Sequence, residues 1–142
     1  MKRLFFLLFP VLFLFDGCLD NDKPLCLTCE TFSEAFVIGY DPCTANPDTG
    51  KAAGYLIAIP SQGDTVMTYN FPDSLYKFPK EYFVYYQFWH FFPDSARDDF
   101  SVKLKYRLAN EEEKKWPICR GDIITPKLGY AKKQIIIISV TK

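Results

Sequence analysis

Hydrophobic and polar positions alternate most regularly between Phe100 and Leu108. Phe100, Val102, Leu104, Tyr106 and Leu108 take one parity, and Ser101, Lys103, Lys105 and Arg107 take the other. Successive side chains on a strand point to opposite faces, so this pattern predicts a strand with one face in a core and one in water. An earlier β-rich run, Ala35 to Tyr40, stops at Asp41-Pro42. Gly54 to Ile59 and Thr65 to Tyr69 flank the short Gly-containing link Pro60 to Asp64, which is a hairpin signal. Ile135 to Val140 is apolar at both parities and reads as a central or doubly covered strand. Between the hairpin and the alternating strand, Phe71 to Lys80 holds Pro72 and Pro79, with Asp73-Ser74 placed to cap at most one helical turn. No segment keeps a helical period over three turns. The pattern therefore predicts an all-β domain: a small antiparallel barrel or sandwich, OB-like, with at most one short helix, in the 71–80 link.

The first seventeen residues follow a different rule. Lys2 and Arg3 precede a nearly unbroken apolar run, Leu4 to Phe15, and Asp16-Gly17-Cys18 follows. Twelve apolar residues fall well short of the roughly 20 that span a bilayer, and they match the apolar region of a secretory signal. Phe15-Asp16-Gly17-Cys18 resembles the lipobox of bacterial lipoproteins, in which the cysteine is acylated and the signal is cut before it. Asp16 stands where a small uncharged residue is usual. The resemblance implies lipidation at Cys18 and attachment to a membrane through several acyl chains. It divides the chain into a signal (1–17), a polar, Pro-containing tether (18–33) and a β domain (34–142).

Charge excludes one class of partner. After cleavage the chain would carry 15 basic and 16 acidic residues, a formal charge of 15 − 16 = −1, with the two signs interleaved. No basic stripe follows, so nucleic acid is not an expected partner. With Cys18 lipidated, Cys26, Cys29, Cys43 and Cys119 remain, an even number suited to an oxidising compartment. Four cysteines allow three connectivities, and sequence alone does not choose among them. The preferred one joins Cys43 to Cys119 across a long loop, worth about 2–4 kcal/mol, and leaves Cys26–Cys29 as a local pair.

Three constellations bear on chemistry. Residues 82–92 contain eight aromatic rings in eleven positions. Read as a strand, they place Phe83, Tyr85, Trp89 and Phe91 on one face and Tyr82, Tyr86, Phe88 and Phe92 on the other. Either both faces are covered, or Tyr82, Tyr86 and His90, or Tyr85 and Trp89, form an exposed platform for a glycan or a protein partner. Cys26-Leu27-Thr28-Cys29 is a C-x-x-C lying in the tether rather than at a helix start; a structural disulfide competes there with a soft-metal site for copper or zinc. A C-x-x-C close to an anchor is similar to that of copper-responsive envelope lipoproteins. His90 is the single histidine, and no G-x-S-x-G or H-E-x-x-H is present. Asp98-Asp99 and Glu111 to Glu113 are neighbours in sequence and not acid/base pairs, so no enzymatic activity and no cofactor are expected. Asn110 to Lys115 reads as a solvated connection, and Leu128 to Ala131 as a turn.

The loose lipobox at Cys18, Asp41-Pro42-Cys43, and Trp116-Pro117-Ile118-Cys119 ahead of a terminal Ile-rich strand together resemble small lipoproteins of Bacteroidota. That resemblance implies an outer-membrane anchor and brings no established activity with it. Leu19 is compatible with outer-membrane sorting, and Asp20 and Asp22 are similar to acidic surface-export signals, so periplasmic and cell-surface faces both stay open. The function expected is a non-catalytic binding or accessory module of the cell envelope; the alternative is a metal or stress sensor using Cys26 and Cys29.

Overall fold

A computed structural model describes residues 32–83, 91–119 and 133–142. Five strands form among them: β1 (Ser33–Tyr40), β2 (Tyr55–Ile59), β3 (Asp64–Thr68), β4 (Ser101–Leu108) and β5 (Gln134–Thr141). They close into a barrel in the order β1-β2-β3-β5-β4, with β4 returning to β1. All neighbours are antiparallel except β3 and β5, which run parallel. The domain is thus the small, OB-like all-β barrel that the alternation predicts. The remaining secondary structure described is short 3₁₀ turns.

The alternation in β4 translates directly into burial. Val102, Leu104 and Tyr106 lie inside the barrel, and Ser101 and Lys103 face water. Their inner-face partners are Ala35, Val37 and Tyr40 of β1, Tyr55, Ile57 and Ile59 of β2, Val66 of β3, and Ile135 and Ile137 of β5. Two bulges keep this face continuous. On β1, Val37 opposes Ile57 while Gly39 opposes Leu56, so Ile38 is the extra residue. On β5, Ile137 opposes Tyr106 while Ser139 opposes Lys105, so Ile138 is the extra residue. The Ile-rich strand is therefore not covered on both sides: Ile138 points outward and is 57% exposed. A bulge, not a second layer of packing, accommodates the unbroken apolar run.

The seam between β3 and β5 pairs only Met67 with Gln134 and Thr68 with Ile135. The side-chain amide of Asn70 extends it. Its Oδ1 accepts from the Ile137 amide at 3.0 Å and its Nδ2 donates to the Ile137 carbonyl at 2.8 Å, so one side chain stands in for a further strand residue. Gln134 does the same on its own side, accepting from the Lys115 amide and donating to the Lys115 carbonyl, both at 2.8 Å. This pins the β4–β5 connection against β5.

Four turns close onto a proline carbonyl: Gly63 on Pro60, Leu75 on Pro72, Tyr82 on Pro79 and Ala96 on Pro93. Proline has no N–H for a ladder but keeps its acceptor, and its fixed φ suits the start of a turn. The 71–80 link holds a single turn at Asp73–Leu75, in keeping with at most one helical turn there. One expectation is corrected: the stretch from Tyr82 does not begin as a strand, since Lys80–Phe83 is a 3₁₀ turn and Phe91 makes only an isolated bridge to Gly39.

The β3–β4 connection closes one end of the barrel with rings. Phe78 sits at the centre, 4.8 Å from Phe100, 5.1 Å from Phe92 and 5.2 Å from Tyr55 between ring centroids. Phe83 packs on Tyr40 at 4.8 Å. Offset and edge-on ring pairs at these distances each contribute about 0.5–1.5 kcal/mol beyond their buried area. In the Asn110–Lys115 connection, Glu113 takes both guanidinium nitrogens of Arg107 and also accepts from the Asn110 amide. These contacts hold the Glu113 carboxyl down to about 2.

Candidate functional site

The two loops at the ends of β1 and β4 are joined by a disulfide between Cys43 and Cys119, 76 residues apart, with Cα atoms 4.4 Å apart. Asp41-Pro42-Cys43 owes its geometry to the buried Asp41 carboxylate. Asp41 Oδ1 accepts from the Cys43 amide at 2.9 Å and Oδ2 from the Tyr69 hydroxyl at 2.8 Å. Its carbonyl accepts from the Thr44 amide and hydroxyl, both at 3.0 Å, and its amide donates to Gly54. Burial, then the bond to Asp41, push the Tyr69 hydroxyl far above its ordinary pKa, so it stays a donor. Gly54 permits this clasp: a Cβ there would lie 2.5 Å from the Tyr69 ring and 2.9 Å from Asp41 Cβ. The loop thus presents Cys43 to its partner in a fixed position.

A hollow of about 400 Å³ lies beside this clasp, between Lys51 and Tyr69. Its polar groups are engaged within the protein. Tyr69 holds Asp41, Thr44 Oγ1 accepts from Gly54 at 3.1 Å, and Lys51 pairs with Asp73 at 3.2 Å. It is a structural hollow.

A second groove, of about 270 Å³, lies on the outward face of β1, β2 and β3. Its floor is Ile38, Ala58 and Thr65, one from each strand; its wall is Phe91 and Pro93, with Asp94 and Arg97 at the rim. The bulge at Ile38 turns that residue outward. The bridge between Gly39 and Phe91, with the Phe92 amide donating to the Ile38 carbonyl at 2.8 Å, lays the 91–97 segment along the edge of β1. Phe92 then points into the core while its neighbour Phe91 points out and is 39% exposed. Arg97 carries its guanidinium 5.1 Å above the Phe36 ring, which pairs across the sheet with Ala58. An aromatic wall, a largely apolar floor and one charge of each sign at the rim make a surface that can hold a small amphipathic ligand.

The residues singled out in the sequence fall into three groups. Tyr82 is half-buried, with its ring 5.5 Å from Phe92 and 6.3 Å from Phe100, and so belongs to the ring cluster rather than to an outer platform. Tyr85, Tyr86, Trp89 and His90 lie outside the described residues, as do Cys18, Cys26 and Cys29 with the signal and residues 18–31 of the tether, and the turn at 128–131. Cys43 and Cys119 form the crosslink. Of the faces expected over 82–92, Phe83 and Phe92 are buried and Phe91 is outward, because a turn and a bridge replace strand alternation. Arg97 and Asp94 carry no signal in the sequence; they reach the groove only through the Gly39–Phe91 register. Among the described residues, no group of three or more His, Cys, Asp or Glu side chains converges as a metal site would require, and no helix is long and apolar enough to cross a membrane. Compared with protein-family models, with curated proteins and with solved structures, the chain matches none significantly.

Proposed function

We propose that this chain is an exported, non-catalytic binding module of the cell envelope, held at the outer membrane by acylation of Cys18. In this reading its barrel takes a sugar unit or an aromatic or aliphatic side chain of a partner in the groove beside Phe91. The observation that carries it is the outward placement of Phe91 next to Arg97, while Phe71, Phe78, Phe83, Phe92 and Phe100 all pack inward. A volume of about 270 Å³ falls just below the range of about 300 to 1,000 Å³ usual for drug-sized ligands, which suits a single sugar unit or side chain. The face of strands two and three is also the one with which OB barrels hold oligosaccharides and oligonucleotides, a likeness of fold alone. Arg97 has Asp94 beside it, so the groove has no net positive charge and favours a neutral glycan or peptide over nucleic acid. The lipobox-like Phe15-Asp16-Gly17-Cys18, with the cysteine motifs described above, supports the anchor and the likeness to Bacteroidota lipoproteins.

The full-length protein, displayed on a glycan array and titrated by thermal shift, tests the groove. Phe91→Ala and Arg97→Ala should each weaken a hit about threefold to tenfold, the value of one stacked ring. A ligand bound equally well by both variants would place recognition elsewhere. Labelling with radioactive palmitate tests the anchor: the label should vanish in Cys18→Ser, and its absence from the parent would remove the membrane from the account.

A further inference from the structure

Beyond the groove, the outward face of β1 continues onto β4: Phe36, beneath Arg97, opposes both Ala58 and Ser101, and the rows past it on β1, β4 and β5 form a different surface. Lys105 opposes the bulge of Ile138 and Ser139, and on its other side its ammonium lies 5.0 Å above the Phe32 ring. Phe32, Lys105 and Ile138 are therefore one row across three neighbouring segments, with Phe32 48% and Ile138 57% exposed. The next row is Glu34, Lys103 and Thr141. No outward position on β4 or β5 bears a carboxylate, and Glu34 is the single acid in these two rows. Arg107, further along β4, is already satisfied by Glu113.

We propose that this face lies against an anionic phospholipid surface, with the Phe32 ring and Ile138 entering the headgroup boundary and Lys103 and Lys105 meeting the phosphates. The inference rests on lipidation at Cys18. Thirteen residues separate Cys18 from Phe32, a span of at most roughly 45 Å, and the chain enters the fold on this face. The anchor therefore brings this side of the barrel within reach of the bilayer it is attached to. Exposed apolar side chains flanked by lysines suit the interface, because the lysine stems lie along the apolar boundary while the charges stay wet. Each lysine near an anionic membrane strengthens attachment by about fivefold, an effect screened by salt.

The test uses full-length lipidated protein reconstituted in phosphatidylcholine vesicles with and without phosphatidylglycerol. A membrane-impermeant amine-acylating reagent is applied and its sites are mapped by mass spectrometry. Lys103 and Lys105 should be acylated about fivefold or more slowly in the anionic vesicles, and high salt should restore the rate. Lys51, in the β1–β2 loop, and Lys80, in the β3–β4 connection beside Gly50, should react alike in both. Protein that floats with the vesicles but shows equal rates at all four lysines overturns the docking face and leaves the anchor standing. Equal protection in neutral vesicles, or protection without vesicles, assigns the face to uncharged lipid or to another copy of the chain, and also overturns it. Failure to float in either composition refutes the anchor itself.

Discussion

The two connections that flank the barrel are held in opposite ways. The β3–β4 connection is held chiefly by rings, with Phe78 packed on Tyr55, Phe92 and Phe100. The β1–β2 loop is fixed by one buried carboxylate and one crosslink, with the Asp41 side chain taking the Cys43 amide and the Tyr69 hydroxyl. Ring clusters share strain among many small contacts and yield gradually. A polar clasp fails at one atom, because a buried donor left without its acceptor costs about 1–3 kcal/mol.

Phe78→Ala should have the largest effect. Removing the central ring of a packed cluster costs about 3–5 kcal/mol, and urea unfolding should show it as a lower midpoint with an unchanged slope. If the loss were under about 1 kcal/mol, the rings would be filling space rather than holding the connection. Cys43→Ser comes next, at about 2–4 kcal/mol, since the crosslink restricts a loop of 76 residues in the unfolded chain. Reducing the parent protein should reproduce that shift.

Asp41→Asn sharpens the contrast more finely. The amide keeps one acceptor oxygen where the carboxylate offered two, so we expect about 1–2 kcal/mol of lost stability. The Tyr69 pKa should also fall, read by ultraviolet titration, because one of its causes is removed while burial remains. A Tyr69 titration identical to that of the parent would show that the clasp does not operate. The smallest effect expected is at Glu113. Its carboxyl is depressed to about 2 from an ordinary 4.5, so its contribution is present above about pH 4.5 and lost as pH falls toward 2. Glu113→Gln should lower stability slightly at neutral pH and flatten the acid limb below about pH 4.5, so that the two profiles converge toward pH 2.

Much of the barrel was legible in the sequence. Phe100 to Leu108 carries a period of two, the Gly54–Tyr69 hairpin is marked by two β-prone runs and a Gly-containing link, and the structural bounds of these strands differ from the expected ones by at most one residue. Composition misled where one residue type dominates. Four consecutive isoleucines have no period, so the bulge at Ile138 was invisible, and eight rings in eleven positions look like a strand whatever the backbone does. Proline was the overlooked signal there, since Pro79 and Pro93 begin the turns that bracket the stretch. The groove was hidden for a different reason. Its residues come from β1, β2, β3 and the 91–97 segment, and only the register of Gly39 against Phe91 brings them together. The amides of Asn70 and Gln134 were equally silent, because nothing local marks a side chain that will act as a strand.

The seating of β5 between β3 and β4 also sets a timetable. The ring of strands cannot be completed until Gln134 to Thr141 is available, since that segment supplies the second neighbour of each. Everything synthesised earlier is an open sheet whose outer strands still lack a partner, and contacts so distant in sequence form late and slowly. Under the proposed export, such a delay would favour threading through a membrane before folding. The same delay leaves the nascent sheet dependent on protection until Gln134 to Thr141 arrives.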